Sequence, residues 1–315
     1  MSEGPSVADA YRPVAITDRS GFDESVHHGA LVVFDESGDV TFSVGDPDVN
    51  IYPRSSNKPM QADAMLRLGL QLDPGELALA CASHDGTARH VAIAHRILAS
   101  VGLDERALAN TADLPLDRES AERLLAGGGH RAPVYMNCSG KHAAMVATCV
   151  ANGWNVDGYL AVDHPLQIAL TERIAELAGG VFHIGVDGCG APAHVLSLRG
   201  LAQAFRTVAT DRGRVWSAMT HYPDLIAGEH RDATRIMRLV PDLMAKGGAE
   251  GVFAAGLPDG RAAAVKIADG NSRAAAIVLA AGLVVAGVDV DPSVLGEPIL
   301  GHGEPVGRVR PVVGL

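Results

Sequence analysis

The sequence predicts an α/β (α+β) fold, with an antiparallel sheet built from strands at both ends of the chain and a mostly helical middle. Three observations lead there. Two β-rich runs joined by a Gly-containing turn (ALVVFD, ESG, DVTFSVGD) follow Gly29. Two more, EGVFAAG and RAAAVKIADG, lie near the other end and turn at Pro258 to Gly260. Between them, apolar residues recur at helical spacing. Strands from both ends can share one sheet, and the helical insert can then roof one end of it. We expect one unit over 1–315, with the sheet in 27–57 and 181–315 and the helices in 58–180. No repeat, low-complexity tract or linker interrupts it.

Taken in order, residues 1 to 26 carry little periodicity and read as an arm or an edge strand. The hairpin then leads to YPRSSNKPMQ, where Pro59 fits only the first turn of a helix, one that ends near Gly69. ALACASH reads as a strand, and Thr87 to Val101 as a helix burying Val91, Ala94, Leu98 and Val101. Asp117 to Ala126 is a helix stopped by glycines. The polar turn Asn137 to Lys141 opens an apolar helix reaching about Asn152. Asp163 or His164 caps a helix with Pro165 at its start, Gly179 at its stop, and Leu166, Leu170, Ile174 and Leu177 on one face. A short strand, the glycine-punctuated loop Gly185 to Pro192 and helices over about 199–240 follow. The apolar run Ala274 to Val288 packs as a helix on the last strands.

Composition bounds the function. At 315 residues and 47% apolar, the chain can bury an ample core. A net charge of -11 leaves no basic face for nucleic acid or an anionic membrane. The run from Ala274 to Val288 is too short to span a bilayer. MSEGPSVADAYRP has no basic region followed by an apolar stretch, so the cytoplasm is expected. There, four cysteines point to buried, catalytic or metal-binding roles rather than disulfides.

Ser55 and Lys58 stand three residues apart at the predicted helix start. On a helix that spacing puts Cβ atoms roughly 5 to 6 Å apart, so the amine leans over the hydroxyl as a base over a nucleophile. An ordinary lysine, with a pKa of about 10.4, is protonated at neutral pH. Serving as a base near pH 7 to 8 requires roughly 4 kcal/mol of help from burial, a helix N-terminus or a second cation. The plain alternative is a helix-capping Ser55 or Ser56 beside a solvated Lys58. In layout, an S-x-x-K helix with a lysine on a late strand resembles the penicillin-recognising hydrolases, with Lys266 on such a strand and Gly270 beyond it. No K-T-G is present as written.

Seven motifs occur in order: PRSSNKPMQ, CASHDG, NCSGKHAAM, DHPLQ, GVDGCGAP, KGGAEGV and AVKIADG. With them the sequence, from about Glu24 to Leu283, resembles the Rhizobium-type L-asparaginase II family. The resemblance implies a fold like that of serine β-lactamases and glutaminases, and hydrolysis of L-asparagine to L-aspartate and ammonia without an organic cofactor. It also implies two Ser-Lys pairs: Ser55 as acylated nucleophile with Lys58 as base, and Ser83 with Lys266. Two neighbouring lysines would lower one another's basicity. A zinc-like site of Cys138, Lys141 and Cys189, open to water, is implied as well. For the substrate, Arg54 would take the carboxylate and Asp187 the ammonium, with His142 on the substrate or the metal's water. Cys81 and Cys149 read as core.

Two departures, His28 where relatives usually carry arginine and NTADLPLD without its usual cysteine and glycine, bear on substrate preference. Glutaminase or β-lactam or D-aminoacyl hydrolase activity on the same scaffold, and a non-catalytic amino-acid- or zinc-binding protein, are the competing readings. Apolar helices and small residues near the C-terminus suit a homodimer.

Overall fold

The computed structural model describes residues 7–312. Its main sheet has seven antiparallel strands. They are β1 (Arg12–Arg19), β2 (Phe22–Phe34), β3 (Val40–Val44), β7 (Met244–Gly247), β8 (Val252–Gly256), β9 (Ala262–Ile267) and β12 (Val309–Pro311). The order is β12-β1-β2-β9-β8-β7, with β3 also paired to β2. A second sheet joins β4 (Asn50–Ile51), β5 (His183–Val186) and β6 (Pro192–Ser197), and β10 (Ile299–Gly301) pairs with β11 (Glu304–Gly307). N- and C-terminal strands therefore share one sheet, as expected.

The helices are α1 (Lys58–Arg67), α2 (Pro74–Ala80), α3 (Ala88–Ala99), α4 (Arg118–Ala126), α5 (Ser139–Ala151) and α6 (Pro165–Ala178) in the middle of the chain. After them come α7 (Leu198–Thr210), α8 (Arg214–His221), α9 (Pro223–Ile226), α10 (Asp232–Leu239) and α11 (Ala275–Val285). Among the described residues, no helix is long and apolar enough to cross a membrane.

Strand β2 loses its alternation from Ala30 to Phe34, where every residue is buried, because α7 and α11 pack on the sheet. Small residues permit the approach. A Cβ on Gly256 of β8 would stand 2.6 Å from the Phe205 carbonyl oxygen of α7. Helix α11 is apolar on every side and is buried from Ala275 to Leu283.

Three expectations are corrected. Residues 12–19 form β1, an interior strand between β12 and β2, rather than an arm or edge. ALACASH is the last turn of α2, to Ala80, and the loop that follows it, not a strand. Pro74 opens that helix, and Asp73 and Glu76 close a reciprocal capping box. The strand β7 stands where no element was expected, pairing Lys246 with Ala254 of β8.

Candidate active site

The PRSSNK segment is a short 3-10 turn, Arg54–Asn57, running straight into α1. Arg54 has φ of +52°, a left-handed conformation that costs a non-glycine residue on the order of 1 kcal/mol or more. Its guanidinium is tied to Asp187, with Nη2 2.7 Å and Nε 2.8 Å from Oδ1. Ser56 caps nothing; its hydroxyl donates to the Lys246 carbonyl oxygen at 3.0 Å. Gly248 lets that contact form, since a Cβ there would lie 2.4 Å from the Pro53 carbonyl oxygen. The turn carrying Ser55 is thus clamped to the edge strand β7.

Lys58 and Lys246 are 1% and 2% exposed, so neither is a solvated surface charge. Lys58 Nζ donates to Ser83 Oγ at 3.0 Å and to the Ala82 carbonyl oxygen at 2.5 Å, and lies 3.2 Å from Cys138 Sγ. Lys246 Nζ donates to the same Ser83 Oγ at 3.0 Å and to the Gly247 carbonyl oxygen at 2.5 Å. Burial, then the Lys58 charge, then Arg231, push the Lys246 amine well below the usual lysine range.

The expected Ser83–Lys266 pair does not form. Lys266 Nζ donates to the carbonyl oxygens of Glu250 and Ile267, at 2.6 Å each. The second amine at Ser83 belongs to Lys246 of KGGAEGV, a motif whose lysine carried no expected role. The signal that could have found it is the lysine–glycine–glycine turn just before EGVFAAG, which forms the β7–β8 hairpin.

Ser55 lines two cavities. One, of about 530 Å³, is also walled by Ser83, Asn137, Arg231, Lys246 and Glu250. The other, of about 10 Å³, is walled by Arg54, Lys58, Gln61, Lys141, Asp187 and His194. His142 lines neither. It is fully buried on α5, with Nδ1 2.7 Å from the Tyr159 hydroxyl, and burial with the Lys141 and Lys58 charges holds it well below the usual histidine range. Asn137, Arg231, Gln61 and His194 had no expected role.

Helix α5 brings Cys138 and Lys141 to the loop carrying Cys189, and all three are buried. Lys141 Nζ lies 3.2 Å from Cys189 Sγ. A hydrogen bond from Cys189, against the opposing effect of burial, holds the Cys138 thiol well below its usual range, with help from the Lys58 and Lys141 charges. Lys141 is raised: burial opposes this, and the Cys189, Cys138 and Asp187 side chains around the amine outweigh it. Among the described residues, no three His, Cys, Asp or Glu side chains are grouped to hold a metal ion. The third donor beside the two cysteines is an amine. Cys81 and Cys149 are buried in the core, as expected.

The buried His84 ties CASHDG to NCSGK. Gly86 N–H donates to its Nδ1 at 3.1 Å, which leaves Nε2–H to donate to Ser139 Oγ at 2.9 Å.

A family model described as L-asparaginase II matches residues 15–311. No curated protein matches. Among solved structures, the chain is similar to native Mglu, at 15% identity and a TM-score of 0.45, over 82% of this chain and 64% of that one. It therefore spans less than two thirds of the Mglu chain. A beta-lactamase from Mycobacterium bovis gives 15% identity and a TM-score of 0.39, over 82% of this chain and 93% of that one. A variant of simvastatin synthase from Aspergillus terreus gives 12% and 0.38, over 76% and 86%.

Proposed function

Because the chain belongs to the L-asparaginase II family, we propose that it hydrolyses the side-chain amide of L-asparagine to L-aspartate and ammonia, with Ser55 as the acylated nucleophile. The observation that carries this reading is the buried run Lys58 Nζ–Ser83 Oγ–Lys246 Nζ, 3.0 Å on each side, at the wall of a cavity that Ser55 also lines. Lys246, with its depressed basicity, is the proton acceptor that a Ser-Lys mechanism needs. Ser83 passes protons between the two amines. Ser55 Oγ gives its proton toward Lys58 as it attacks the amide carbon, and the proton leaves with ammonia. Such transfer is typically worth about 10²–10⁴ in rate.

For recognition, Arg54 and Asp187, now paired with each other, would open to take the substrate's carboxylate and ammonium. His142 would act through its chain neighbour Lys141 rather than touch the substrate. The donor set of Cys138, Cys189 and Lys141 suits a zinc ion, since Cys189 is hydrogen-bonded to Cys138 and lies 3.2 Å from the Lys141 amine. When bound, the ion would hold both thiols as thiolates and add positive charge behind Lys58.

One observation favours a second reading, with Ser83 as nucleophile, because both amines touch Ser83. The test measures ammonia release from asparagine and glutamine for wild type, Ser55→Ala and Ser83→Ala, and maps a quenched aspartyl adduct by peptide mass. Asparagine should be preferred, and the adduct should lie on Ser55. An adduct on Ser83 reverses the assignment, and turnover by Ser55→Ala at the wild-type rate removes Ser55 from the chemistry.

A further inference from the structure

We propose that the small chamber behind Ser55 seats the hydrolytic water, held by His194 Nδ1 and Gln61 Oε1, that releases the acyl group. The proposal rests on the reading of Ser55 as the acylated residue. His194 and Gln61 are 1% and 2% exposed, and both line the chamber of about 10 Å³, room for roughly one water. Neither His194 Nδ1 nor Gln61 Oε1 has a hydrogen-bond partner among the described residues.

The tautomer of His194 follows from its neighbour. Thr171 Oγ1 donates its single proton to the Gln167 carbonyl oxygen at 2.7 Å. Across the 2.9 Å contact to His194 Nε2 it can therefore only accept. Nε2 carries the ring proton, and Nδ1 of the neutral ring is a bare lone pair. The two residues on the chamber wall thus carry two buried, unpartnered acceptors, which call for one small molecule with two protons to give. Water meets that demand.

Ser55 is common to both cavities, so the leaving ammonia departs through the wide one while the water sits on the small-chamber side of the same residue, behind the Arg54–Asp187 pair. In the step, the water oxygen bonds to the acyl carbon and the bond from that carbon to Ser55 Oγ breaks. One water proton passes by way of the Lys58 amine, also on the chamber wall, to Oγ. His194 and Gln61 are positioning residues for this water.

The test is rapid-quench ammonia release from asparagine by the full chain. His194→Phe and Gln61→Met each remove one acceptor at similar bulk, and His194→Asn restores an acceptor near Nδ1. The expected result for the first two is a stoichiometric ammonia burst, then turnover slowed at least about tenfold, with an aspartyl adduct accumulating on Ser55. His194→Asn should recover much of the turnover. Folded variants that show a Ser55 adduct but no burst, or that lose acylation and turnover in parallel, would overturn the water assignment alone. An adduct mapping to Ser83 would overturn the Ser55 reading and this proposal with it. If His194→Phe does not fold, Gln61→Met carries the same test.

Discussion

Lys246 shows what burial does to a single charge. At 2% exposure, facing Lys58 and Arg231, its amine resists protonation, so the active form of the site is the one in which Lys246 is neutral. The sign follows directly. Lowering the pH protonates Lys246 and removes the acceptor, so kcat/KM should fall on the acid side along a limb that reports this amine. Steady-state rates across pH check it, and a profile with no acid limb down to the pH at which the protein unfolds would argue that Lys246 is not the base. Arg54 makes a related point about backbone. Its φ of +52° is held by the guanidinium–Asp187 pair, so Asp187→Asn should loosen the turn that presents Ser55 and raise KM for asparagine in the same assay.

Capping and close approach decide matters at the level of elements. Helix α2 is set by the Asp73–Glu76 box, with bonds of 2.8 and 3.0 Å, although its LALA run, Leu77 to Ala80, is compatible with either a strand or a helix. Asp73→Ala should cost about 1 kcal/mol of stability, read as a lowered Tm, with asparagine turnover unchanged. The 53–56 turn and β7 are clamped through Gly248, where an added Cβ meets the Pro53 carbonyl oxygen at 2.4 Å. Gly248→Ala should therefore displace Ser55 relative to Lys246 and lower kcat more than it lowers Tm. A variant with full activity would show that the clamp is not needed.

The whole molecule folds its polar chemistry inward, and this has a pH cost. His84 and His142 are buried and held well below the usual histidine range, chiefly by burial. Their folded pKa values lie below the unfolded value of about 6.5, so the unfolded chain binds more protons and stability should fall as pH drops below about 6.5. Tm measured from pH 8 to pH 5 checks this.

The same inward folding explains how far the site was readable. The sheet from both ends and the middle helices follow from periodicity and Pro59, and the ordered motifs single out Ser55, Lys58 and Ser83, although the expected partner of Lys58 was Ser55 and its amine donates to Ser83. The choice between Lys246 and Lys266 does not. Cross-strand register puts both on one face of the sheet, Lys246 opposite Ala254 and Lys266 opposite Val252. What separates them is strand position. β7 is the edge beside the Ser55 turn, while β9 lies two strands, roughly 10 Å, farther in. Strand order is set by long-range pairing that no local pattern records, and β7 itself is too short to announce a period. The roles of Gln61 and His194 are hidden for a similar reason, since orphaned acceptors exist only once packing has sealed them.

The central claim is that Lys246, through Ser83, supplies the base. Ammonia release from asparagine by Lys246→Met and Lys266→Met, measured side by side on folded protein, tests it most directly. Lys246→Met should lose about 10²–10⁴ in kcat, and Lys266→Met should stay within about twofold of wild type. The reverse pattern, with Lys266→Met inactive and Lys246→Met active, would contradict it.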